Sequence, residues 1–129
     1  MPPANTGGIV INKYFRIKFI LKMIIHQNGF MHHVFFYLKN EGNKNDCNQL
    51  IEGLVRLSKA PSIKGFHIGV PAETPREVVD NSYGVSWLLL FDSKESHDIY
   101  QTDPIHLQFI ADCAHLWERV VIYDTLNAV

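Results

Sequence analysis

A chain of 129 residues with 47% hydrophobic and 12% aromatic side chains can build one packed core, and its net charge of −1 comes from both signs spread along its length. That balance excludes a disordered chain, a nucleic-acid-binding stripe and an acidic tail. Cys47 and Cys113 lack metal-type spacing, so both are expected as buried free thiols in a reducing, cytoplasmic compartment, and no apolar window has the length needed to cross a bilayer.

Residues 1–8, "MPPANTGG", have no periodicity and read as loose chain. The basic, apolar run "KYFRIKFILKMII" is interrupted by Lys18 and Lys22, and no small-residue cleavage site follows it. It fits a non-native extension upstream of a start at Met23 or Met31, a strand-like arm on the domain edge, or a membrane-surface segment, and the first reading is preferred. The expected organisation is therefore an extension over 1–30, a domain over 31–125 and a short tail over 126–129.

Within the domain, "MHHVFFYLK" (31–39) predicts a strand and "NEGNKN" (40–45) a turn. Cys47, Leu50, Ile51 and Leu54 share one face of a helix over 46–60, with Asp46 as its N-cap and Pro61 as its stop. "SIKGFHIGVPA" (62–72) predicts a strand with Phe66, Ile68 and Val70 on one side and Ile63, Gly65, His67 and Gly69 on the other. A polar connection over 73–82 leads to the strongly apolar strand "SYGVSWLLLFD" (82–92), expected to be covered on both faces along its second half. Ser93 caps a short helix over Lys94 to Tyr100. Thr102-Asp103-Pro104 breaks the chain, and a helix then runs from Pro104 to about His115, with Asp103 at its N-cap and Pro104 in its first turn. "LWERVVIYD" (116–124) closes the domain as a strand.

The order β-α-β-β-α-β, its second helix split, predicts an α+β, ferredoxin-like domain: one four-stranded antiparallel sheet with helices on one face. The strands carry large apolar residues on both faces, among them Phe35 with Phe36 and Trp87 with Leu88. A second apolar face needs a cover, and a homodimer packed sheet to sheet supplies it.

Candidate chemistry centres on His106, which shares a helix face with Phe109, Ile110 and Cys113 and so points inward. A buried imidazole tends to stay neutral and can act as a base, while the nearby phenol of Tyr100 can polarise a carbonyl or donate a proton. The competing reading makes His106 a packing residue and Tyr100 a cap of the short helix. His33 and His67 are added as ligand-pocket candidates, facing either the helix-side cavity or the dimer interface, with Gly65 and Gly69 leaving room for a ligand beside His67. His32 and His33 are adjacent on a strand, and His97, His106 and His115 do not align on one helix, so no metal is expected. Neither a cofactor motif nor a nucleophile elbow is present.

Read together, "MHHVFFYLK", "IKGFHIGVP", "SYGVSWLLLFD", "HDIYQTDPIH" and "LWERVVIYD" resemble the stress-responsive A/B barrel domain (Dabb) family over 31–125, most tellingly in the spacing of Tyr100, Pro104 and His106. The resemblance implies a dimeric α+β barrel. Some members of that family are ring-forming stress proteins without established catalysis. At least one plant member is a polyketide cyclase, whose pocket Tyr and His would fall on Tyr100 and His106 and whose first-strand His would fall on His33. Two further histidines of that enzyme are replaced here, by Asp103 and Val85. The expected function is a homodimeric barrel that binds a small hydrophobic ligand without a cofactor. The alternative is a cofactor-free cyclase-like or isomerase enzyme with Tyr100 and His106 as its acid/base pair.

Overall fold

The computed structural model describes residue 16 and residues 29–129; of the extension expected over 1–30 only Arg16, Gly29 and Phe30 fall within these, and Phe30 opens the first strand. Strand β1 (Phe30–Leu38) alternates strictly between buried and half-buried positions. Phe30, His32, Val34, Phe36 and Leu38 form its inner row, because successive side chains of a strand point to opposite faces. β1 lies between β3 (Val85–Phe91) and β4 (Trp117–Leu126), and β2 (Gly65–Gly69) pairs with β3 at the other edge. All pairings are antiparallel, in the order β2-β3-β1-β4. This is the predicted four-stranded ferredoxin-like sheet.

The inner face is covered by α1 (Lys44–Leu57), α2 (Lys94–Thr102) and α3 (Pro104–Cys113), the last running into a 3₁₀ turn over Ala114–Leu116. Leu50, Leu54 and Leu57 of α1 meet Tyr100 of α2, Phe109 and Cys113 of α3, and Val85, Trp87, Leu89 and Phe91 of β3 in one core. α1 and α3 approach closely at Gly53, where an added Cβ would lie 2.5 Å from Cys113 Sγ.

Several local expectations shift. The N-cap of α1 is Asn43, whose side chain accepts from the Asp46 amide at 3.0 Å. Asp46 sits in the first turn instead, taking a hydrogen bond from Asn40 at 2.9 Å. α1 ends at Leu57, before Pro61 is reached, with Ser58 as C-cap. β2 is five residues long rather than eleven, since Pro71 has no amide to extend an edge strand and no second neighbour holds its ends. Cys113 is buried, whereas Cys47 is only half-buried.

On the outer face of the sheet, Met31, His33, Phe35, Tyr37, Leu88 and Leu90 are half-buried and Tyr123 is 63% exposed. Leu88 and Leu90, expected to be covered on both sides, are therefore only partly covered. Phe35 packs edge-on against Tyr83 and Tyr123, at ring separations of 5.0 and 6.2 Å. α1, α2 and α3 lie on the opposite side.

Candidate functional site

Asp103 ends one helix and starts the next. Its amide donates to the Tyr100 carbonyl at 3.1 Å, and its carboxylate accepts from the Ile105 amide at 2.8 Å. Pro104 at the first position of α3 needs no amide partner. Across the break the rings of Tyr100 and His106 meet edge to face at 4.7 Å. Both line a pocket of about 180 Å³ together with His32, Trp87, Phe109 and Ile122.

Tyr100 is almost wholly buried, and its hydroxyl accepts from Trp87 Nε1–H at 3.3 Å. Burial pushes its pKa up to about 12, against a smaller opposing effect of the indole N–H. The phenol therefore keeps its proton at neutral pH, and with Trp87 on one lone pair that proton is free to point elsewhere. Burial also draws the His106 pKa below its usual value, opposed in part by a hydrogen bond from the ring to the Gln101 backbone. His106 Nδ1 is buried and has no hydrogen-bond partner. A neutral imidazole with an unsatisfied nitrogen stands beside a protonated phenol in an apolar recess, which is the arrangement a general acid/base pair or a ligand's hydroxyl group requires.

His33 and His67 are not part of this constellation. They lie on the outer face of the sheet, both in register with Leu88. His33 Nε2 bonds to Ser86 Oγ at 2.8 Å and its ring packs on Phe35 at 4.2 Å. Desolvation lowers its pKa, with smaller contributions from His67 and His32. The room expected beside Gly69 is filled by His67 itself, whose ring would come within 2.9 Å of an added Cβ there.

The first-strand histidine at the pocket is His32, one position before the expected His33. It is buried, and its Nδ1 contacts Asp124 Oδ1 at 2.5 Å, the two residues being register partners across β1 and β4. Desolvation outweighs the carboxylate and lowers the His32 pKa, so the ring is neutral and donates Nδ1–H to Asp124. His97 of α2 lies alongside, 4.8 Å from the His32 ring and stacked at 4.4 Å on Phe30. His32, His97 and Asp124, from three separate elements, bring their ligand atoms within 4.8 Å of one another. Sequence spacing could not show this group, since Asp124 joins it only through strand pairing.

Among the described residues, no helix is long and apolar enough to cross a membrane. The sequence model of the stress responsive A/B barrel domain matches residues 30–127. No curated protein sequence matches the chain. Solved structures with the same fold include a Dabb family protein with a ferredoxin-like fold from Mesorhizobium loti, 20% identical with a TM-score of 0.63, covering 77% of this chain and 96% of its own. A hydroxynitrile lyase from Passiflora edulis is 19% identical with a TM-score of 0.66, over 77% of this chain and 93% of its own. A dimeric ferredoxin-like protein of unknown function from Thermobifida fusca is 19% identical with a TM-score of 0.63, over 77% and 91% of the two chains.

Proposed function

This chain belongs to the stress responsive A/B barrel domain family, and on that footing we propose that it works as a homodimeric barrel that binds a small hydrophobic ligand in the recess between α2, α3 and the sheet. The observation that carries this reading is the pocket itself: an apolar cavity of about 180 Å³ lined in part by His106, whose buried Nδ1 has no hydrogen-bond partner. Cavities of about 150 Å³ accept a benzene ring, so the size suits a single-ring aromatic or a comparable aliphatic compound. A buried polar nitrogen left bare costs about 1–3 kcal/mol, which a hydroxyl group on a ligand that reached it would recover, since a hydroxyl both donates and accepts. The dimeric neighbour from Thermobifida fusca and the apolar outer face of the sheet support assembly through that face.

The test is thermal stabilisation by a panel of phenols, aromatic aldehydes and aliphatic ketones, measured on wild type and on His106→Ala. The expected result is stabilisation of the wild type by the hydroxylated single-ring compounds, weakened or lost in the variant. An absence of stabilising compounds, or shifts that ignore the substitution, would count against the pocket as a binding site.

A second reading is favoured by the Tyr100–His106 pair, and by the hydroxynitrile lyase among the proteins that share this fold. Here His106 Nδ1 removes a proton next to a carbonyl while the Tyr100 hydroxyl donates to the developing oxyanion, with no cofactor involved. Incubation of stabilising carbonyl compounds in deuterated water checks it. Exchange of their α-protons, observed by NMR, should be catalysed by wild type and lost in both His106→Ala and Tyr100→Phe.

A further inference from the structure

We propose that His32, His97 and Asp124 form a binding site for one divalent transition-metal ion of the zinc class, at the rim of the pocket. The three side chains come from β1, α2 and β4. The His97 ring packs on Phe30 and Phe91, but that packing does not call for the buried His32 imidazole or the Asp124 carboxylate beside it. Their ligand atoms lie within 4.8 Å of one another, and the closest pair, His32 Nδ1 and Asp124 Oδ1, is at 2.5 Å. At metal–ligand distances of about 2.0–2.2 Å, tetrahedral ligands stand about 3.3–3.6 Å apart. The close pair stands about 1 Å nearer than that and is joined through the His32 Nδ1–H hydrogen bond, so an ion would take the place of that proton, which moves to Nε2, and part the two residues by about 1 Å.

The hydrogen bonds around His97 leave it in a ligating form. Gln101 Nε2 can only donate, so at 3.0 Å from His97 Nε2 it makes that nitrogen the acceptor. The proton then resides on Nδ1, which donates to Asp98 Oδ1 at 3.2 Å. Asp98 is held in turn by Lys94 at 2.9 Å. A carboxylate behind the distal nitrogen of a histidine is the support that metal-bound imidazoles usually carry, since it fixes the tautomer and raises the ligand's basicity. An ion on Nε2 would displace only the Gln101 amide. The His32 side chain is 6% exposed and that of Asp124 41% exposed, so the site is anchored inside and open to solvent on the β4 side.

Two nitrogens and one oxygen suit zinc and its neighbours in the first transition row, not magnesium, which demands oxygen ligands and octahedral geometry. Three protein ligands leave a fourth position for water or another small molecule. His32 also lines the pocket, so the ion would stand at the pocket's edge.

The experiment uses the untagged full chain, stripped with a chelator and titrated with Zn²⁺ against a chromophoric competitor. Co²⁺ serves as a spectroscopic probe. We expect one Zn²⁺ per chain, no competition from excess Mg²⁺, and Co²⁺ absorption of tetrahedral intensity. Asp124→Asn keeps a hydrogen-bond acceptor for His32 on an exposed strand edge, and His97→Gln keeps a hydrogen-bonding group at a position whose side chain is only 12% exposed and packs on Phe30. Each should weaken Zn²⁺ binding by roughly tenfold or more with an unchanged far-UV circular dichroism spectrum, while His115→Gln should bind as wild type does. Binding that is absent, equally strong in Asp124→Asn and His97→Gln, or displaced by Mg²⁺ would overturn the assignment.

Discussion

Burial holds the His106 imidazole below its ordinary pKa, and this has a consequence for stability. Between the lowered folded value and the unfolded value of about 6.5, the unfolded chain binds more protons than the native one, so stability falls as the pH drops through that window. His33 is shifted the same way by desolvation and adds to the effect. Thermal unfolding followed from about pH 7.5 down to about pH 5 should show a falling Tm, and His106→Gln should flatten the slope without removing it. A slope identical in the variant would mean that His106 is not desolvated in the folded state. The sequence carries His106 and Tyr100 plainly, because each lies on a short helix whose caps, Ser93 and Asp103, are legible. It does not settle which of His32 and His33 faces the helices. The usual parity signal is an apolar row opposite a polar one, and here Phe35 and Tyr37 on the outer row are as aromatic as Phe36 on the inner row. The missing contrast belongs to a strand with two faces to cover.

At the scale of elements, the crossing of α1 and α3 is set by one small residue. Alanine is worth about 1 kcal/mol over glycine inside a helix, so Gly53→Ala would stabilise an isolated α1. In the folded protein its Cβ would meet Cys113 Sγ at 2.5 Å, and Cys113 is itself buried in the core. The helices would have to move apart, at an overpacking cost of about 1–3 kcal/mol. Denaturant unfolding should show Gly53→Ala to be destabilising, with part of the loss recovered in Gly53→Ala/Cys113→Ala. Additive effects in that double-mutant cycle would show that the two positions do not press on each other. The junction of α2 and α3 makes a second case, since Asp103→Ala removes the carboxylate that accepts from Ile105 and should cost about 1 kcal/mol. That junction was readable from Asp103-Pro104 alone because its chemistry is local. The N-cap of α1 is not readable in the same way, because Asn43 and Asp46 are both good caps and only the turn geometry chooses between them. The length of β2 was not readable either, since hydrophobic alternation continues through Val70 while the pairing partner does not.

For the whole molecule, the decisive quantity is the apolar surface that the described residues of one chain leave only half-covered. A domain of about 100 residues buries roughly two-thirds of the surface its unfolded chain exposes, less than a larger domain does, and draws correspondingly limited stability from one core. Here the outer face of the sheet adds Met31, Phe35, Tyr37, Leu88, Leu90 and Tyr123 around His33 and His67, while α1, α2 and α3 pack on the other face. Two copies packed face to face would remove that surface from water, and each would then draw part of its stability from the other. Such coupling makes Tm depend on protein concentration, because dissociation accompanies unfolding and mass action opposes it. Leu88 stands on the inner strand β3, directly in register with both His33 and His67. Leu88→Lys places a cation at that position in each copy, where pairing would bury it without a partner. In a lone monomer the same lysine would face solvent, so the fold of the single chain should survive. Wild type should therefore sediment as a dimer at micromolar concentration, with a Tm that rises with concentration. Leu88→Lys should sediment as a monomer, with a lower Tm that is indifferent to concentration and an unchanged far-UV circular dichroism spectrum. A monomeric wild type with a concentration-independent Tm would refute assembly through this face, and a variant that stays dimeric would move the contact to another surface.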